Sequence, residues 1–254
     1  MFYYLIQPIL FYNVVLIAAA VVPAIALMLR VYRSDRIERE SPYQLRRLAV
    51  AGVLASLIAL VAERLLCLLL DVSVSAQSPL YNVLLYFGIV AFSEEGAKFF
   101  MLRRRSWRSP EFDCTFDGVV YAVFVSLGFA IWENVSYVLS YGLATAVVRA
   151  VTAIPGHACF GVFMGVFYSA AKRFSTDERV GVSRMMSVLA VLVPALIHGA
   201  YDYIASAETE SFNWYFIAFI VALFALSFFL VGRTSKRDRY LDSSIIAEPK
   251  EWRD

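Results

Sequence analysis

Seven stretches of this chain, at about 9–29, 48–70, 80–102, 117–140, 150–171, 185–204 and 212–232, stay largely apolar for some twenty residues each. A helix needs about 20 apolar residues to cross a hydrocarbon core of roughly 30 Å. Inside that core only helices and closed barrels satisfy their own backbone. The pattern therefore predicts an all-α, polytopic transmembrane helical bundle of about seven helices. Composition agrees, because 60% of the 254 residues are hydrophobic, against roughly 45–50% in soluble domains. The connections are short, so residues 1–254 read as a single integral membrane domain ending in a tail of about 233–254. No internal repeat or low-complexity tract interrupts it. The N-terminus lacks a basic segment before its first apolar run, so that run predicts a retained span and not a cleaved leader.

Charge supplies an orientation. Arg30 to Arg47 carries six arginines, 103–108 carries four, 172–184 carries four basic residues, and the tail from Arg233 is rich in both Arg and Lys. The intervening connections at 71–79, 141–148 and 205–211 carry none. Basic connections are retained on the cytoplasmic side. The alternation thus predicts an outside N-terminus and a cytoplasmic C-terminus. Cys67, Cys114 and Cys159 fall in separate segments and read as free thiols.

Ionisable side chains within an apolar span cost about 2.5–3.5 kcal/mol each on insertion scales, which makes them functional candidates by default. The third run carries Glu94, Glu95 and Lys98 in "AFSEEGAKFF", and the fourth carries Glu133 and Asn134 in "GFAIWENVSY". His157 lies in the fifth run, His198 and Asp202 in the sixth; these are the only two histidines of the chain. Glu94 and Lys98 stand four apart, the favourable order for an acid–base pair on one helical face. Lys98 is then expected to offset Glu94 and leave Glu95 freer to meet water. His198 and Asp202 are also four apart, so the aspartate can orient the imidazole. Pro155 and Gly156 weaken the helix just before His157. At about 1.5 Å per residue, Glu133, His157 and His198 fall near one level in the outer half of the bilayer. Glu94 does not, unless its helix tilts, kinks near Gly88 or starts late. Glu63 and Arg64 in the second run read as structural, Arg149 as interfacial, and Gly161-x-x-x-Gly165 as a close-packing face.

Carboxylates and imidazoles in a partly dry cavity can do acid–base work on water, with Asn134 or a histidine at the oxyanion. No serine is placed as a nucleophile. The same set (Glu94, Glu95, Glu133, His157, His198, Asp202) could instead hold zinc or another divalent ion, although the spacing matches no H-E-x-x-H signature. Two other classes compete with an enzyme: an inactive scaffold or chaperone-like membrane subunit, and a proton-coupled transporter.

The order Glu94-Glu95-x-x-Lys98, Phe129-x-x-x-Glu133-Asn134, His157, His198-x-x-x-Asp202 resembles the PrsW intramembrane proteases, relatives of the type II CAAX prenyl endopeptidases. The resemblance covers about residues 90–204, within a catalytic core of about 80–204. It implies an endopeptidase in which paired glutamates activate water, helped by the histidines. It also implies a membrane-anchored, single-span substrate of the anti-sigma-factor kind, cut at a first site near the outer face of a bacterial plasma membrane. The expected partners are that substrate and the lipid bilayer, with no nucleic acid. The CAAX enzymes carry E-E-x-x-x-R, which this chain lacks, so prenylated substrates fit it less well.

Overall fold

The computed structural model describes residues 2–207 and 210–241. Nine α-helices and one π-helical segment occur among them, with no β-strand. In chain order these are α1 (Phe2–Tyr32), α2 (Pro42–Ser73), α3 (Pro79–Val83), the π segment (Leu84–Ala91) and α4 (Phe92–Ser106). They continue with α5 (Asp117–Tyr141), α6 (Leu143–Val151), α7 (Ala153–Thr176), α8 (Val180–Ala205) and α9 (Glu210–Lys236). Six helical runs among the described residues are long and apolar enough to cross a membrane. The third expected span is the remaining one. It is helical without interruption from Pro79 to Ser106, but divided between α3, the π segment and α4.

Local signals place the boundaries. Ser41 caps α2 by accepting the Gln44 amide, with Pro42 at the first helical position, where a missing N–H costs nothing. Ser78 and Pro79 open α3 in the same way. Gly142, at φ +83°, ends α5 in a backbone conformation that favours glycine. The chain then re-enters helix as α6, a short element that begins in the expected 141–148 connection and ends in the start of the expected fifth span. Thr152 separates α6 from α7, so the weakness expected at Pro155–Gly156 lies just before them and puts His157 in the first turns of α7.

Helix α5 is the central post. Of its apolar window 78% is buried inside the protein, against 17–28% for α1, α2, α8 and α9. The outer helices show Leu, Val, Ile and Phe to their surroundings, for example Leu65, Leu68 and Leu69 on α2 and Phe228 and Phe229 on α9. Such faces suit lipid as the solvent. Small residues let the inner helices meet. A Cβ on Gly161 or Gly165 of α7 would run into the α5 backbone near Val123 and Val119, which bears out the close-packing face. A Cβ on Gly52 of α2 or Gly128 of α5 would strike the facing helix's backbone.

The arginine-rich connections meet at one end of the bundle. Ser41 bonds Glu111, Gln44 bonds the Arg105 carbonyl, and Lys172 bonds the Trp107 carbonyl. The last turn of α9 and the segment after it close the same end: Arg36 and the Ser34 carbonyl meet Ser235, and Asp238 accepts from Thr115 and the Phe116 amide. All three cysteines are free.

Candidate active site

Four helices bring the expected polar residues into one network. Lys98 is its hub, fully buried. Its ammonium bonds Glu95 at 2.7 Å, Glu94 at 3.1 Å and His157 Nδ1 at 3.1 Å. An ammonium has three donors, and all three are occupied. The Phe129 ring lies 4.0 Å from the charge, so this residue supplies a cation–π bed. Since Lys98 donates to Nδ1, His157 keeps its proton on Nε2 and donates it to Glu133 at 2.7 Å, a fixed neutral tautomer. Ser126 holds the His157 carbonyl at 2.6 Å.

His198 stands on the other side. Its Nδ1 meets Glu95 at 3.0 Å and Glu94 at 3.9 Å, while Nε2 meets Asp202 at 3.3 Å. The His198–Asp202 pairing is therefore present as spacing suggested. The ring stacks on Phe160 at 4.6 Å and lies 5.4 Å from the His157 ring.

A cavity of about 720 Å³ opens beside this network, within the usual range for ligand sites. Glu94, Glu133, His157, His198 and Asp202 line it. Glu95 does not, and it is fully buried behind Glu94. The expected roles of the pair are thus exchanged: Lys98 holds both acids, and Glu94 is the one at the cavity. Asn134 stands apart from the cavity lining. It is fully buried, its NH₂ donates to the Ala130 carbonyl and its oxygen accepts from Arg149.

Arg149, expected at the interface, instead bonds Glu133 at 3.0 Å and packs on Tyr137 at 3.9 Å. Glu63 and Arg64, expected as structural, line the cavity from α2. The apolar context of single helices could not reveal either role; only a count of unpaired acids facing Glu133 would have hinted at Arg149. The expected irregularity near Gly88 is present. The π segment contains Gly88 and ends three residues before Glu94. Whatever the rise of that segment, the acids and Lys98 reach the histidines: Glu95 lies 3.0 Å from His198 and Lys98 3.1 Å from His157.

The family model described as "PrsW family intramembrane metalloprotease" matches residues 40–230. The chain belongs to the PrsW family. Protease PrsW of Bacillus subtilis (strain 168) is 34% identical over 211 residues, spanning 82% of this chain and 90% of that one. Protease PrsW of Geobacillus kaustophilus is 34% identical over 209 residues, 82% and 87% of the two chains. That of Shouchella clausii is 31% identical over 221 residues, 87% and 97%. No solved structure matches. This PrsW protein is accordingly a multi-pass intramembrane protease, and the scaffold and transporter readings fall away. The matches are to PrsW proteins and lend no support to the wider kinship with CAAX endopeptidases.

The family description names a metal, and the PrsW residues present here fit one. Ligand atoms of Glu94, Glu95 and His198 all lie within 4.8 Å of one another. Glu95 Oε2 is buried without a hydrogen-bond partner. With Nδ1 of His198 as ligand, Nε2 would remain on Asp202, the carboxylate–histidine arrangement that commonly orients metal ligands. Among the described residues, Glu94, Glu95 and Glu133 pair with the fixed cations Lys98 and Arg149, while Asp202 pairs with His198.

Proposed function

We propose that this PrsW protein hydrolyses a peptide bond in a single-span, membrane-anchored regulatory protein of the anti-sigma-factor kind, making the first cut near the outer face of a bacterial plasma membrane. The observation that carries this reading is the convergence of Glu94, Glu133, His157, His198 and Asp202 on one cavity. Depth supports the place of cutting. Along α5, Glu133 is roughly 24 Å from Asp117 at the arginine-rich end and about 12 Å from Tyr141. With basic connections inside, the N-terminus lies outside, the C-terminus lies in the cytoplasm, and the cavity lies nearer the outer face. The whole of 1–254 then acts as one membrane domain, with the core at about 80–204.

In the proposed reaction Glu94 takes a proton from water as the water oxygen bonds to the scissile carbonyl carbon. The C–N bond then breaks, and Glu94 returns that proton to the departing amine. Lys98 and His198 keep Glu94 and Glu95 in place, with Asp202 orienting His198. His157, held between Lys98 and Ser126, positions Glu133. Glu63 and Arg64 form the α2 wall along which an extended substrate segment would lie. A divalent ion such as zinc, if held by Glu94, Glu95 and His198, would supply Lewis acidity toward water and the carbonyl.

The test uses purified full-length protein in detergent with tagged single-span candidate substrates. Wild type should release a fragment that a His157→Ala variant does not. A zinc-selective chelator is expected to stop the release and added Zn²⁺ to restore it. Equal release by wild type and His157→Ala would defeat the catalytic assignment; release untouched by chelator would remove the metal and leave the glutamate route.

A further inference from the structure

A second group of buried acids lies far from the cavity, at the arginine-rich end. Asp35 follows α1, Glu40 precedes the cap of α2, and Asp117 opens α5. Their relative exposures are 7%, 4% and 0%. One carboxylate oxygen from each comes within 4.8 Å of the others. Asp117 is sixteen residues before Glu133, roughly 24 Å along α5, so the two groups share no side chain.

Their surroundings do not balance them. None of the three forms an ion pair among the described residues, although six arginines lie within Arg30–Arg47. Arg36 is turned to Ser235, and Arg39 and Arg47 pack on Tyr32 and Tyr43. Both oxygens of Asp35 and Oδ1 of Asp117 are buried without a hydrogen bond of good geometry, although Asp35 faces the Arg36 and Ile37 amides and Asp117 faces Glu40. Asp117 Oδ2 accepts the Asp113 and Cys114 amides, and Glu40 accepts the Tyr121 hydroxyl. Glu111, next in line, is already bound to Ser41. Buried carboxyl groups gathered at one point are retained where they share protons, are paired or coordinate a metal.

We propose that Asp35, Glu40 and Asp117 form a divalent-cation site that ties together the arginine-rich ends of α1, α2 and α5. The donors are all oxygen, and carboxylate oxygens select hard ions such as Ca²⁺, Mg²⁺ or Mn²⁺ over the softer metals that sulfur and imidazole attract. The Tyr121 hydroxyl and the Glu111 carbonyl it bonds lie at the edge of the group. The competing arrangement is one in which the carboxyls share protons and take no ion. The inference is independent of how the peptide bond is cut.

Mn²⁺ is the probe, counted by loss of the free-ion resonance on titration into metal-stripped, full-length protein in detergent. Asp35→Asn should bind one Mn²⁺ fewer than wild type. At a hundredfold excess over Kd, Mn²⁺ should raise the wild-type Tm by roughly 5 °C more than that of Asp35→Asn. Without metal the variant should melt at or above wild type, because it removes a repelling charge. Asp35 lies outside the helices, so the variant remains usable even if Asp117→Asn does not fold. Equal Mn²⁺ counts in the two proteins, or the same Tm response, would overturn the site and leave the shared-proton arrangement.

Discussion

Glu94→Gln should cut a single-span reporter about 10²–10⁴ times more slowly than wild type, the usual contribution of a positioned acid–base group. The change is nearly isosteric. Lys98 keeps its bonds to Glu95 and His157, so the helices should stay assembled and the Tm should move little. Glu95→Gln should behave differently. Glu95 is sealed from the cavity and accepts from both Lys98 and His198. Its loss removes the acceptor that Lys98 and His198 share and leaves the buried ammonium with Glu94 alone, so stability should fall by more than in Glu94→Gln. On the metal-free route the two adjacent glutamates thus separate into one whose loss is read in turnover and one whose loss is read in stability; with a metal held by both, Glu95→Gln loses turnover as well. The assignment fails if Glu94→Gln cuts at the wild-type rate, or if the two variants show the same balance of effects.

The second large effect belongs to the seam between α2 and α5. A methyl group at Gly128 would lie 2.1 Å from the Ala49 carbonyl oxygen, and one at Gly52 would lie 2.0 Å from that of Val125. Backbone cannot swing aside as a flexible side chain can. Gly128→Ala is therefore expected to destabilise by about 3 kcal/mol or more, at the upper end of overpacking. Since α2 carries Glu63 and Arg64 to the cavity, turnover should fall with stability. Gly96→Ala is the matched control: nothing lies within 4 Å of its added Cβ, and alanine in a helix interior should gain roughly 0.5–1 kcal/mol. Thermal unfolding in detergent distinguishes them. A Gly128→Ala protein melting within a degree of wild type would contradict the close approach.

Much of this was legible in the residues, for reasons that also mark where legibility stops. Seven apolar runs declare themselves because lipid imposes length and polarity together. Glu94, Glu133, His157, His198 and Asp202 stand out because each is costly in such a run unless something faces it. What faces it is a tertiary fact. Lys98 lies within helical reach of both glutamates, and spacing alone assigned it to Glu94 only; its third bond, to His157 on α7, was beyond any single-helix reading. Asn134 adjoins Glu133 in sequence yet turns about 100° away on the helix, toward Arg149. The π segment was signalled only by a conflict in depth, since wide turns depend on packing such as that of Phe87 against Gly199. The group formed by Asp35, Glu40 and Asp117 gave no periodic signal, because its members come from two loops and a helix start.

The apolar outer faces of α1, α2 and α9 carry a thermodynamic consequence of their own. Those side chains touch acyl chains whether or not the helices are assembled, so separating the bundle within a bilayer wets little new surface. The large positive heat capacity that accompanies unfolding in water arises from such wetting. Here it should be nearly absent, and assembly would weaken steadily on heating without the curvature that makes soluble domains fail in the cold. What holds this protease together is the closeness of glycine-lined backbones and a few buried charges, forces that do not borrow their strength from water.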